Sequence, residues 1–327
     1  MIPYRAPAIA REIPLIDLSA AGDPLRRREL ALRIRETCRD VGFFYVVGHG
    51  VPAALIEAQF AAARTFFALP PARKREAASG AAHANLGYQA LASQALDDGS
   101  PADFKEGFQI GFDPGPEHPY VKAGSPFHGD NRWPRGLPGF REQCEAYYAA
   151  MMDLSARLLQ LIALSLDLDE AFFAAHLRTP IASLRLLHYP PQPQAIEDNR
   201  IGAGAHTDWG LITLLAQDAV GGLEVCNAAG EWIAAPPLAD SFVVNLGDLL
   251  QRWSNDLYQS NPHRVRNADS ARPRYSLAFF QDGDSQSQVE CLPSCCDAQR
   301  PARYAACRIG DYMHDKVRQT FGAALTN

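Results

Sequence analysis

The chain has 327 residues, 47% of them hydrophobic and 21% charged, with a formal net charge of −6. This is ordinary for a globular protein with a sizeable core, and the acidic balance argues against nucleic acid as the main partner, because phosphate binding needs a local Lys/Arg excess. No segment approaches the roughly 18 uninterrupted apolar residues of a membrane span, and MIPYRAPAIAREIPLIDL breaks its apolar stretches with Pro and Arg, so no membrane association and a cytoplasmic location are expected; the seven cysteines then read as reduced thiols.

In chain order, Asp23-Pro24 supplies an N-cap and a first-turn proline for a helix running to Gly42, and GFFYVVGHG after it is a short β-rich run. Within that helix, RRRELALRIRETCR mixes acidic residues and Leu30, Leu32 and Ile34 among its arginines, which predicts an amphipathic helix with a solvated basic face. A second helix over PAALIEAQFAAARTFFAL stops at Pro70-Pro71. Residues 81–138 are rich in Gly and Pro, with DFKEGFQIGF as their strand-like stretch, a composition common in lids and binding segments. FREQCEAYYAAMMDLSARLLQLIALSL repeats apolar positions at helical spacing and predicts a scaffold helix packed on a sheet. From Ser183 to Gln281, short β-rich runs recur about every ten residues, the signature of a sandwich or barrel. IGDYMHDKVRQTF closes the chain as a last helix. One compact unit is expected, with a helical N-terminal region over 10–125, a β core over 180–285 and a C-terminal helix within 300–322.

Two His-x-Asp triplets occur. His128-Gly129-Asp130 lies in the irregular GSPFHGDNRWPRGLPG, whereas His206-Thr207-Asp208 stands in GAHTDWGLITLL at the threshold of an apolar run. Residues i and i+2 of a strand share a face, so His206 and Asp208 are expected to point into a barrel while Thr207 points away. His263 in SNPHRVRN is the candidate third ligand. Two neutral imidazoles and a carboxylate on one face of a six-coordinate metal leave three open positions, which suits Fe(II) binding a cosubstrate and oxygen together; catalytic zinc takes the same ligand types.

RPRYSLAFF then places Arg274 and Ser276 on one face, a guanidinium and a hydroxyl suited to gripping a carboxylate. Arg252 and Ser254 repeat the pattern in a helix or turn before His263 and are read as structural, as is His49 in its GHG turn. Asn245 and Asp248 in VVNLGD read as turn formers. Cys291, Cys295, Cys296 and Cys307 lack paired C-x-x-C knuckles and are read as free thiols. Phe104, Lys105, Phe108 and Phe280 are candidates for substrate contact or for core packing; Lys105 favours an anionic substrate if it faces a pocket, and is otherwise a solvated surface charge.

HTDWGLITLL, VVNLGDLLQRWSNDLYQSNPHRV and RYSLAFF, with IPLIDLS, VGFFYVVGHGVP and KEGFQIG nearer the N-terminus, resemble the iron(II)/2-oxoglutarate-dependent oxygenase family, isopenicillin N synthase-like branch, over nearly the whole chain. The resemblance implies an α+β fold with a double-stranded β-helix, or jelly roll, as its core, flanked by helices. It implies His206, Asp208 and His263 as Fe(II) ligands and Arg274 and Ser276 as the grip on the distal carboxylate of 2-oxoglutarate. Tyr189 of LLHYPP matches a tyrosine that adds a hydrogen bond there; strand alternation then turns His188 outward, and Leu187 stands where many plant relatives carry Asn.

The implied activity is that of a dioxygenase of secondary metabolism, which with O2 converts the keto acid to succinate and CO2 and oxidises a C–H bond of a small molecule by hydroxylation, desaturation or cyclisation. Fold likeness does not transfer the substrate. Two rivals stand beside this reading. One is an oxidase on the same scaffold that uses no keto acid, of the isopenicillin N synthase or ethylene-forming type; the other is a non-catalytic small-molecule binder. Oxygen-dependent succinate release separates the first, and Fe(II) binding the second. A monomer is the expected state.

Overall fold

The computed structural model describes residues 2–78, 86–93, 103–191, 201–266 and 271–321. Its strands are β1 (Leu15–Asp17), β2 (Phe43–Val47), β3 (Gly87–Gln89), β4 (Glu106–Gly111), β5 (Pro180–Tyr189), β6 (Ala203–His206), β7 (Ile212–Gln217), β8 (Leu223–Cys226), β9 (Trp232–Ala234), β10 (Phe242–Leu246), β11 (His263–Val265), β12 (Arg274–Asp284), β13 (Gln288–Val289) and β14 (Cys307–Arg308). Eight of them form one sheet in the order β1-β2-β10-β7-β12-β5-β4-β3, and β6-β11-β8-β9 form a second. Together these make the jelly roll.

Around the sheets lie α1 (Pro24–Asp40), α2 (Ala53–Phe67), the short α3 (Pro71–Arg75) and α4 (Pro119–Lys122), the long α5 (Phe140–Ser165), α6 (Asp248–Trp253) and α7 (Ile309–Phe321). The sequence explains how α1 begins and ends. Asp23 Oδ1 accepts the N–H groups of Leu25 and Arg26 at 2.9 Å, and Pro24 sits in the first turn, where its missing N–H costs nothing. Gly42, with φ at +66°, then turns the chain into β2 at a point where a Cβ would stand 2.2 Å from the Gln259 carbonyl oxygen.

The large sheet is buried on both faces, which is why FFYVV and FVVNL show no polar alternation. Phe44, Val46, Val244, Leu184 and Phe279 pack against α1, α2 and α5 in one core. Phe43, Tyr45, Val243, Leu187 and Tyr189 turn into the barrel, where they meet Ala203, Leu223, Val225 and Val265 of the smaller sheet. The barrel interior is therefore reached by every second residue of each strand, and the site is built from those positions.

Strands β1–β4 of the N-terminal region extend the large sheet at both edges. The last helix starts at Ile309, the first residue of IGDYMHDKVRQTF: Asp297 Oδ1 accepts the N–H groups of Gln299 and Arg300 in a turn, Pro301 follows, and β14 pairs with β13 before α7 begins. Among the described residues no helix is long and apolar enough to cross a membrane.

Candidate active site

His263 and His206 are register partners across β11 and β6, with ring centroids 4.3 Å apart. Asp208 lies two residues past the end of β6, so the period-two argument does not reach it, and Thr207, expected to turn away, borders the same cavity. What places Asp208 is the chain after it. The N–H of Asp248 bonds the Asp208 carbonyl at 2.8 Å and the N–H of Leu249 bonds that of Trp209 at 3.1 Å, which fastens this loop onto the start of α6. Such close approach needs Gly247 and Gly210: a Cβ on the first would stand 2.3 Å from Gly210 O, and one on the second 1.7 Å from Asp282 Oδ1.

One donor atom of each of His206, Asp208 and His263 lies within 4.8 Å of the others, the one such group of three or more found among the described residues. Asp208 Oδ1 is 3.9 Å from His206 Nε2 and 3.8 Å from His263 Nε2. Two of the three side chains are tied from behind by hydrogen bonds, while the His263 ring packs edge-on against Phe43 with Nδ1 buried and unbonded. His206 Nδ1 donates to Gly204 O at 2.7 Å, which leaves Nε2 as the unprotonated nitrogen. Asp208 Oδ2 accepts from Thr213 Oγ1 at 2.5 Å and from Asn245 Nδ2 at 2.7 Å, leaving Oδ1 toward the imidazoles. Burial, reinforced by the neighbouring His263, holds His206 far below the usual imidazole range and so neutral. Burial works to raise the Asp208 carboxyl, but the two imidazoles and the Thr213 and Asn245 hydrogen bonds outweigh it and keep the group ionised. Imidazole nitrogens and an anionic oxygen fit a divalent metal.

Sequence reasoning missed Thr213 and misjudged Asn245, which is no turn former but a cross-strand partner of Thr213 within β10. An amide interrupting a fully buried run was the available signal, since buried polar groups are there to be satisfied. Asp248, by contrast, heads α6, and its carboxylate takes Ser260 and Lys316.

The cavity over these residues has a volume of about 600 Å³. On β12 it is lined by Arg274, Ser276, Ala278, Phe280 and Asp282, in strict alternation. Arg274, 1% exposed, donates through Nε to Gly221 O at 2.7 Å, through Nη1 to Ser276 Oγ at 3.1 Å and through Nη2 to Gln217 Oε1 at 3.1 Å. Its guanidinium lies over the Tyr189 ring, 4.7 Å from the centroid. His188 faces away, bonding Glu106 at 2.7 Å and stacking on Tyr275. Three of the five guanidinium donors are thus spent on fixing the side chain, and the two that remain, one on each Nη, match the two oxygens of a carboxylate.

Of the four candidate contact residues, two reach the cavity. Phe280 lines it, as does Lys105, which is 5% exposed and paired with Asp103 at 2.6 Å rather than solvated. Phe104 is half-buried and is not among the lining residues. Phe108 lies on the opposite face of β4, fully buried against Phe66, Phe140 and Trp133. Phe108→Ala is accordingly expected to cost about 3–5 kcal/mol of stability, read as a fall in Tm, while leaving 2-oxoglutarate affinity unchanged. His128 bonds Ser125 at 2.9 Å, and Arg252 bonds the Ala305 carbonyl at 2.6 Å.

A jelly roll that brings two imidazoles and one carboxylate together beside a buried Arg–Ser pair defines a mononuclear non-haem metalloenzyme. Residues 180–283 match the 2OG-Fe(II) oxygenase superfamily, and residues 13–136 match the N-terminal region of the non-haem dioxygenase in morphine synthesis. The chain is 40% identical over 319 residues to the 2-oxoglutarate-Fe(II) type oxidoreductase hxnY of Emericella nidulans, covering 95% of this chain and 91% of that one. The crystal structure of a full-length Neurospora crassa protein in complex with alpha-KG and thymine superposes with a TM-score of 0.84 at 32% identity, covering 94% of this chain and 97% of that one. The rice dioxygenase for auxin oxidation gives 0.76 at 32% identity, covering 95% and 96%. The chain belongs to the 2OG-Fe(II) oxygenase superfamily. It is a 2-oxoglutarate-dependent dioxygenase of small molecules, with Fe(II), 2-oxoglutarate and O2 as its cofactor and cosubstrates.

Proposed function

We propose that His206, Asp208 and His263 hold the Fe(II), that Arg274, Ser276 and Tyr189 hold the distal carboxylate of 2-oxoglutarate, and that the enzyme oxidises a C–H bond of a small organic molecule. The observation that carries this reading is the commitment of Asp208 Oδ2 to Thr213 and Asn245, which presents a single oxygen to the two imidazoles. Bound there, the metal and keto acid supply the oxidising chemistry, in which O2 is consumed and 2-oxoglutarate is split to succinate and CO2.

The work of the chain is positioning and exclusion of water. Arg274 fixes one end of the keto acid; Ser276, which accepts from Arg274, keeps its own hydroxyl proton to donate to the same carboxylate. Trp209, Phe280 and Phe127 line the remaining space as apolar walls, and Met313 and Val317 of α7 close over it. On this reading the core over 180–285 carries the chemistry, while the region over 10–125 and the C-terminal helix within 300–322 shape the substrate cavity.

Seven free cysteines support a reducing, cytoplasmic setting, and the net charge of −6 supports a small-molecule partner over nucleic acid. A monomer without membrane attachment completes the proposal. The test is stoichiometric: with its substrate, the protein is expected to release one succinate and one CO2 per molecule oxidised, only with both O2 and 2-oxoglutarate present. Substrate oxidation that proceeds equally without the keto acid defeats it.

A further inference from the structure

The cavity has a second polar wall, beside the carboxylate grip on β12. Arg185 stands four residues before Tyr189 on β5, about 13 Å along the backbone, and its side chain leans past Gly107 toward the metal end of the cavity, within electrostatic range of Tyr189 and Asp208. Its register partner on β12 is Ala278, which also lines the cavity. On β4 its register partner is Gln109, and its side chain passes Gly107, the partner of Leu187, where a Cβ would lie 3.4 Å from Arg185 Nε and 3.6 Å from Gln89 Oε1, so the two polar side chains lie across bare backbone.

The hydrogen bonds inside this wall run in one direction. Arg185 Nη2 donates to Gln89 Oε1, and Gln89 Nε2 donates to Gln109 Oε1 at 3.4 Å. Both amide oxygens thus accept from donors of the same wall. Lys105, at the head of β4, adds an ammonium group held by Asp103, whose other oxygen accepts the Gly204 N–H at 2.8 Å. Among the described lining residues cations outnumber anions: Arg75, Lys105, Arg185 and Arg274, against the carboxylates of Asp208 and Asp282. Asp208 is taken by the metal. The rest of the lining includes the apolar side chains of Trp209, Phe127, Phe280 and Ile181.

We propose that the β3–β4–β5 wall, centred on Arg185 with Lys105 and Gln109 beside it, is the subsite for a carboxylate of the organic substrate, and that the substrates are small acids with an apolar body. A guanidinium in a low-dielectric cavity binds a carboxylate through two parallel hydrogen bonds. The acid group anchored at this wall and the keto acid anchored at Arg274 place the apolar body of the substrate between them, beside the metal ligands. This assignment rests on the oxygenase reading above and adds the chemical class of the substrate to it.

The test is an anaerobic titration of the Fe(II)–2-oxoglutarate protein with matched acids and amides: phenylacetate and phenylacetamide, cinnamate and cinnamamide, 4-methylpentanoate and 4-methylpentanamide. The readout is the perturbation of the metal-to-ligand charge-transfer band. The acids are expected to act at concentrations at least about tenfold below their amides, and Arg185→Gln is expected to erase that preference while keeping the band, with Arg185→Lys in between. Acids no better than amides in the unmodified protein overturn the assignment, as does a complete lack of response to every acid, or a preference that survives in Arg185→Gln. A missing charge-transfer band before any acid is added is a different failure, that of the oxygenase reading itself.

Discussion

Asp208→Asn is expected to abolish Fe(II) binding and all succinate release while the fold stays intact. Loss of one negative charge is only part of the reason. Thr213 Oγ1 and Asn245 Nδ2 both donate to the Oδ2 side of Asp208, at 2.5 and 2.7 Å, inside a buried pocket. An amide replacing the carboxylate must put its oxygen on that side, because turning it round leaves two buried donors facing an NH2 group. The NH2, which has no lone pair to give a metal, then occupies the place of Oδ1, between two imidazoles whose nitrogens are 3.9 and 3.8 Å away. Replacing groups that only support a metal ligand typically costs 10–100-fold in affinity, so a Kd for Fe(II) raised by more than about a hundredfold is expected here. The check is thermal: saturating Fe(II) at about 100 times Kd stabilises the native protein by ~2.7 kcal/mol, and this Fe(II)-dependent rise in Tm is expected to vanish in the variant. A preserved rise removes Asp208 from the ligand set. Asn245→Ala, which frees Oδ2 without removing the ligand, is expected to fall between, at about 10–100-fold weaker binding.

What was legible in the sequence, and what was not, follows from the range of the forces involved. Capping at Asp23-Pro24, the amphipathic period of α5 and the spacing of the short strands are local signals, and they located α1, α5 and the β core. Arg274, Ser276 and Phe280 were readable as one face because β12 is a long strand that keeps its period of two. Phe108, left open between substrate contact and core packing, shares β4 with the lining residue Gln109 but lies on the opposite face; β4 is buried on both sides, so hydrophobicity alone could not say which face met the cavity. Asp208 was named as a candidate for an incomplete reason, since its position is set by the Gly210 and Gly247 backbones meeting, two glycines far apart in the chain. The Arg185 wall gave no warning at all. An arginine within SLRLLHY shows nothing of the cavity until the sheet sets Gln109 and Ala278 on either side of it.

Arg274→Gln is expected to raise the Kd for 2-oxoglutarate by at least about thirtyfold with little change in Fe(II) affinity, the second large effect. Arg274 is 1% exposed and is braced by Gly221, Gln217 and Ser276, with its face covered by the Tyr189 ring, so it cannot swing out to solvent and its charge has to be met inside the cavity. Truncating one member of a buried, hydrogen-bonded charge pair costs about 2–5 kcal/mol, which at 1.4 kcal/mol per decade spans roughly thirtyfold to several thousandfold. Glutamine retains a polar end but neither the charge nor the fork, so the loss falls on the distal carboxylate alone. The measurement that isolates it is discrimination: 2-oxobutanoate keeps the chelating keto acid and lacks the distal carboxylate, and the unmodified protein is expected to prefer 2-oxoglutarate over it by a factor that largely disappears in Arg274→Gln. If the preference persists, the distal carboxylate is held elsewhere. Arg185 then becomes the alternative anchor, and the same comparison in Arg185→Gln decides between the two arginines, because on the present assignment that variant keeps its full preference for 2-oxoglutarate.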